Sequence, residues 1–231
     1  MRSLLALLSL AAAANAGTIS FLAGDFSTNW TTVKNFDDGG GGGTTVGSRI
    51  ASGGDPNAYR EVKLTYSTAG QQLSGVSLWS TATFDPSQGA LLNVTYNWSQ
   101  YETGQGGSAY LQIRPLLQQG GSNYAFVTNN TPTTGWASYT SGALAQANFC
   151  DISVTCGSGA IHPNFSTSGG VITFGYQVLG ADYGATLPFN QSGNIDNFGI
   201  TGTSAAPEPA SAALAGSALA GLWWFRRRRT A

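Results

Sequence analysis

The chain has 231 residues and a mass of 23.8 kDa, with 9% charged residues, 32 glycines and a formal net charge of −1. Charged residues usually make up about 25% of a soluble chain, whereas 42% hydrophobic and 11% aromatic residues are enough for a sizeable core, so a charged, disordered protein is excluded. An even charge balance offers no basic face to neutralise phosphates, which argues against a nucleic-acid binder.

Met1 and Arg2 give a positive start, Ser3 to Ala14 form an apolar stretch rich in Leu and Ala, and Ala14-Asn15-Ala16 places small residues where a signal peptidase reads them. Residues 1–16 are expected to be a secretory signal peptide, read as a short helix and cleaved after Ala16. A buried N-terminal helix is the alternative.

Residues 17–203 form the body, which holds five basic residues against ten acidic ones, a net of −5. Gly39 to Gly43 lack the Gly-Lys-Ser/Thr ending of a phosphate loop and read as a flexible loop. Period-two alternation dominates thereafter. Val62, Leu64 and Tyr66 form one such run, and Leu92, Val94, Tyr96 and Trp98 interleave with Asn93, Thr95, Asn97 and Ser99 in another. Leu111 and Ile113 alternate with Gln112 and Arg114, and Ile172, Phe174, Tyr176 and Val178 with Thr173, Gly175 and Gln177. Turn formers such as Gly53-Gly54-Asp55-Pro56, Asp85-Pro86-Ser87 and Asn129-Asn130-Thr131-Pro132 separate the runs. No helical stripe appears. The expected fold is all-β, a two-sheet antiparallel sandwich of jelly-roll type, with Val94, Tyr96, Trp98, Leu111, Ile113, Phe174, Tyr176 and Val178 in its core.

Gly24-Asp25-Phe26 with Trp30, then Gly53 to Tyr59, and finally Asn194-Ile195-Asp196-Asn197-Phe198-Gly199-Ile200 resemble the opening, early loop and closing strand of laminin-B-like and carbohydrate-binding jelly rolls. That resemblance implies a structural calcium ion held by Asp25 and Asp196, with Asp196 as a turn cap the alternative. It also implies saccharide binding, for which Trp79, Trp98 and Trp136 offer flat apolar faces, although Trp79 and Trp98 sit in core-like registers.

Candidate chemistry is sparse. Cys150 and Cys156 are the only cysteines of a chain expected to be exported, and a disulfide between them is expected. His162 stands alone before Pro163, with no Gly-x-Ser-x-Gly elbow anywhere. Glu61 and Glu102 are the only glutamates of the body; Glu61 reads as a surface charge on the polar side of its strand beside Arg60 and Lys63. No catalytic residue is assigned, and no enzyme is expected.

The last segment, 204–231, contains Pro207-Glu208-Pro209, an apolar run from Ala210 to Phe225, and Arg226-Arg227-Arg228-Arg229. The apolar run has 16 residues, about 24 Å of helix, which is short of a roughly 30 Å hydrocarbon core. Trp223 and Trp224 suit the headgroup zone, and the arginines hold the end on the cytoplasmic side. This order resembles the PEP-CTERM sorting signal of Gram-negative bacteria. The resemblance implies processing by exosortase at 207–209, a transient inner-membrane helix over 210–225, and release to the cell surface or extracellular polysaccharide matrix. A permanent anchor is the alternative.

The leading expectation is therefore a non-catalytic exported protein handled by signal peptidase and exosortase. The alternative is a carbohydrate-binding module for exopolysaccharide, which a row of exposed aromatics on one sheet face would favour. A third is a secreted hydrolase built on His162 or on a carboxylate pair.

Overall fold

A computed structural model describes residues 17–104, 110–127, 133–153, 160–182 and 186–205. Its first half contains β1 (Gly17–Leu22), β2 (Trp30–Asp37), β3 (Thr44–Gly54), β4 (Asn57–Tyr66), β5 (Gln72–Phe84) and β6 (Leu91–Thr103). The second half contains β7 (Tyr110–Gln119), β8 (Ser122–Ala125), β9 (Ala137–Thr140), β10 (Cys150–Asp151), β11 (Ile172–Ala181) and β12 (Phe189–Ser204). Among the described residues the helical turns are two short 3-10 turns, at Pro86–Gln88 and Gln146–Asn148. The expected signal helix, sorting motif, apolar helix and arginine cluster lie outside the described residues.

The strands form two antiparallel sheets. One runs β3-β4-β12-β6-β9, and the other β10-β8-β7-β11-β5-β2. The long β12 pairs with β6 along one edge. Its other edge is divided: β4 pairs with its first part, to Ile195↔Arg60, and β1 with its last part, from Leu22↔Gly199. This all-β, two-layer sandwich is the architecture that the alternating runs predict.

All eight expected core residues are buried between the sheets. The hydrophobic contribution is concentrated in aromatic rings that meet across the layers. Phe198 of β12 lies 5.6 Å from Trp30, 6.0 Å from Tyr96 and 5.7 Å from Tyr176. Phe174 reaches Phe21 and Tyr96 at 5.9 and 6.2 Å. Tyr96 Oη donates to the carbonyl of Leu116 at 2.9 Å, which satisfies its buried hydroxyl and ties the layers together. Gly193 allows the close approach: a Cβ there would meet both methyls of Val178 at 2.9–3.0 Å.

Two local expectations are corrected. Leu92 is 52% exposed, and Leu91 is buried in its place. The pairing steps from Thr203↔Asn93 to Ser204↔Leu91, so a bulge skips Leu92 and reverses the in/out parity at that end of β6. Arg60 does not share the outer face with Glu61; it is 5% exposed and points inward. There its guanidinium lies 5.4 Å from the Trp30 ring centroid and Nη2 donates to Thr32 Oγ1 at 2.7 Å, so a cation–π contact and a hydroxyl replace water.

Phe174→Ala should lower the unfolding free energy by about 3–5 kcal/mol, the usual cost of deleting a fully buried ring. Urea unfolding followed by tryptophan fluorescence measures it, and a loss below about 1 kcal/mol would mean the ring is not shared between the layers.

Candidate functional site

The outer face of the second sheet carries a groove of about 360 Å³, lined by residues of β2, β5, β11, β7 and β8 together with Val127 and Ile152. Register explains its composition. Side chains on one face recur every second residue and line up across neighbouring strands, so Val33, Val76, Gln177 and Arg114 form one transverse row. Phe36, Ser74, Leu179 and Gln112 form the next. Towards β8 the face is closed by a small apolar cluster of Val76, Leu116 and Ala125 with Leu78 and Ile152 packed on it.

The floor is polar and incompletely bonded. Ser74 Oγ and Gln177 Oε1 are buried and have no hydrogen-bond partner among the described residues. Such atoms cost about 1–3 kcal/mol each until something bonds to them. The walls are apolar and open: Phe36 is 45% and Val127 43% exposed. Arg114, half-buried between them, donates from Nε and Nη2 to Gln112 Oε1 at 3.0 and 2.5 Å, and burial pushes its pKa down. A groove lined by both polar and apolar side chains suits a flat, hydroxylated ligand.

The outer face of the first sheet is different. Trp136 meets Tyr59 at 5.4 Å and Tyr101 at 5.7 Å in inclined contacts, and its Nε1 donates to the Gly53 carbonyl at 2.9 Å. In place of the row of exposed aromatics that would favour saccharide binding, the described residues of this face carry a half-buried triad packed on itself, bracing the β3–β4 turn. Trp98 is buried and stacked on Tyr139 at 5.7 Å, and Trp79 is stacked on Trp30 at 5.5 Å.

Asp25 and Asp196 have separate partners. Asp25 is exposed and accepts from Ser27, with Arg49 Nη2 at 3.7 Å. Buried Asp196 accepts from the Asp55 amide at 2.5 Å and the Asn197 amide at 2.7 Å. A calcium shell needs six to eight oxygens. Both Asp196 oxygens already take N–H donors, and among the described residues no three acidic, His or Cys side chains converge. The pair therefore does not fit the ion, and Asp196 caps the turn instead.

Cys150 is buried at the edge of β10, opposite Ala125, whereas Cys156 lies outside the described residues. His162 is exposed on a loop, with Nδ1 2.6 Å from the Phe149 carbonyl. Val62 and Glu102 both align with Gly193 on the inner side of the first sheet, which puts Glu61 on the opposite face from Glu102. The two glutamates do not form a carboxylate pair.

No protein-family model matches the chain, and no curated relative matches its sequence. Among solved structures it is similar to the CBM22-1 xylan-binding domain of Xyn10C from Paenibacillus barcinonensis, at 14% identity and TM-score 0.36, over 84% of this chain and 97% of that one. It is also similar to TmCBM27, a mannan-recognising carbohydrate-binding module, at 12% identity and TM-score 0.36, over 80% of this chain and 98% of that one. Likeness at this level identifies neither a family nor a ligand for this chain.

Burial raises the Glu102 pKa from 4.5 to about 7. Between these values the folded state keeps a proton that the unfolded chain has lost, so this group's effect is to lower stability as pH rises through that window. Glu102→Gln should remove the effect: the variant's stability advantage over the parent grows from pH 4.5 to 7.5 in urea titrations, and an advantage independent of pH would refute the assignment.

Proposed function

We propose that this chain is a non-catalytic, exported carbohydrate-binding protein whose ligand lies in the groove across the second sheet. The observation that carries this reading is an open groove with exposed Phe36 and Val127 on its walls and with exposed Asn35 and half-buried Gln72 and Arg114 as polar side chains within reach of a ligand. Saccharide hydroxyls both donate and accept, so one unit can bond to such side chains while its apolar face covers Phe36. The triad of the first sheet offers no comparable opening, because its rings and its indole N–H are already engaged within the protein.

The reading extends to the chain ends. Residues 1–16 direct export and Pro207-Glu208-Pro209 is the exosortase processing motif. The body is released to the cell surface or polysaccharide matrix, with Cys150 and Cys156 joined in the oxidising compartment. What supports this is the order of the motif, a marginally short apolar run and the four arginines.

Binding of the secreted protein to a glycan array, followed by calorimetry with the retained glycans, tests the groove. Asn35→Ala should weaken binding by roughly tenfold, the value of one hydrogen bond, while leaving the unfolding midpoint nearly unchanged because the side chain is exposed. Undiminished binding would move the site elsewhere.

Unreduced intact-mass spectrometry of the surface-released protein tests the rest of the proposal. A C-terminus upstream of Ala210 and a mass two hydrogens below the dithiol are expected. A chain ending at Ala231, or free thiols, would overturn the sorting or the disulfide respectively.

A further inference from the structure

Among the described residues, Arg114 is the one charged side chain lining the groove. It sits opposite Gln177 across the β7–β11 pair, beside the floor oxygens. Two of its N–H groups converge on the neutral Gln112 Oε1, and its remaining N–H groups have no protein partner among the described residues. Among the described residues no carboxylate forms an ion pair with it. The ion pairs among the described residues are Lys34–Asp37 and Arg49–Asp25, and the segments 105–109, 128–132, 154–159 and 183–185 contain no acid.

This cation is anomalous in a body that carries ten acids against five bases. A partly buried guanidinium without a counter-ion is unfavourable for folding, and an apolar or neutral side chain of similar size removes that cost. Arg60 also lacks a carboxylate partner but is engaged within the core by Trp30 and Thr32, whereas Arg114 lines an open groove where a ligand can reach it. The guanidinium fork matches a planar carboxylate through two parallel charge-assisted hydrogen bonds. The groove also presents the neutral amide side chains of Asn35 and Gln72, which suit sugar hydroxyls rather than a second charge.

We propose that the groove selects a carboxylate-bearing saccharide, one containing a uronic acid unit, with its carboxylate on Arg114 and its hydroxyls on the accessible polar side chains that line the same groove. The inference rests on the reading of the groove as a saccharide site and adds the chemical class of the ligand. It also accounts for the location of the cation: within hydrogen-bonding reach of the same unit that meets those side chains, rather than on the solvated rim.

The test uses the secreted protein and a panel of short oligosaccharides of galacturonate, glucuronate and mannuronate, each compared by calorimetry with its carboxyl-reduced neutral counterpart. At least one acidic form should bind about 10- to 100-fold more tightly than its reduced form, the range of a charge-assisted hydrogen bond, and the preference should shrink with added salt. Arg114→Gln should bring the ratio close to one, and Arg114→Lys should keep part of it, since charge survives and the fork does not. The thermal midpoint of Arg114→Gln should equal or exceed that of the parent. Equal affinity for acidic and reduced forms, or a preference that survives Arg114→Gln, overturns the carboxylate assignment while saccharide binding stands. A midpoint several degrees lower in Arg114→Gln makes the arginine a structural residue and also overturns the assignment. Binding to no saccharide, acidic or neutral, by the folded parent removes both readings.

Discussion

The bulge between Asp196 and Gly199 in β12 is the constraint from which the rest of the sandwich follows. At this point the pairing with β6 steps from Asp196↔Ser99 to Gly199↔Asn97, and Asn197 adopts a φ of +50°. The extra residue turns Phe198 inward, where it contacts Trp30, Tyr96 and Tyr176 and so joins both layers. The other edge of β12 changes partner at the same place, from β4 to β1. Asp196 stabilises the irregularity by accepting the amides of Asp55 and Asn197, and Gly54 leaves room for its carboxylate. A regular strand would send Phe198 outward and remove the ring on which the central aromatic cluster converges.

The two outer faces divide the work. On the first sheet, Trp136, Tyr59 and Tyr101 brace the β3–β4 turn against β6, and the rings and the indole N–H there are used within the protein. The second sheet leaves buried polar atoms without a partner among the described residues, beside open apolar walls, and each such atom is unfavourable until it is bonded. The groove is built on adjacent paired strands rather than on loops, so its rows of side chains hold their spacing without a ligand to order them. This rigidity limits the entropy lost on binding, and the cost of assembling the polar floor is borne by the aromatic core beneath it.

The sequence alone determined the fold class and most of the core. Alternation in β6, β7 and β11 identified the inward half of each strand because a period of two admits one buried set per register. The same rule failed where an extra residue shifts parity, at Leu92, and where a charged side chain turns inward, at Arg60, whose partners Trp30 and Thr32 belong to another strand. The separation of Glu61 from Glu102 could be read only after their strands, β4 and β6, had been aligned to Gly193 of β12.

The functional site was the least legible part. Gln177 and Arg114 read as the ordinary solvated half of their strands, and Ser74 and Phe36 carried no motif. They become a site because β2, β5, β11 and β7, distant in sequence, align these residues in two neighbouring rows. Trp136 attracted attention as an aromatic but is spent on a turn, since its indole N–H finds the Gly53 carbonyl. Local composition and periodicity determine which residues prefer burial and which segments extend. Which polar atoms stay without a partner, and which cation lacks a counter-ion, are properties of contacts between strands, and only the tertiary structure decides them.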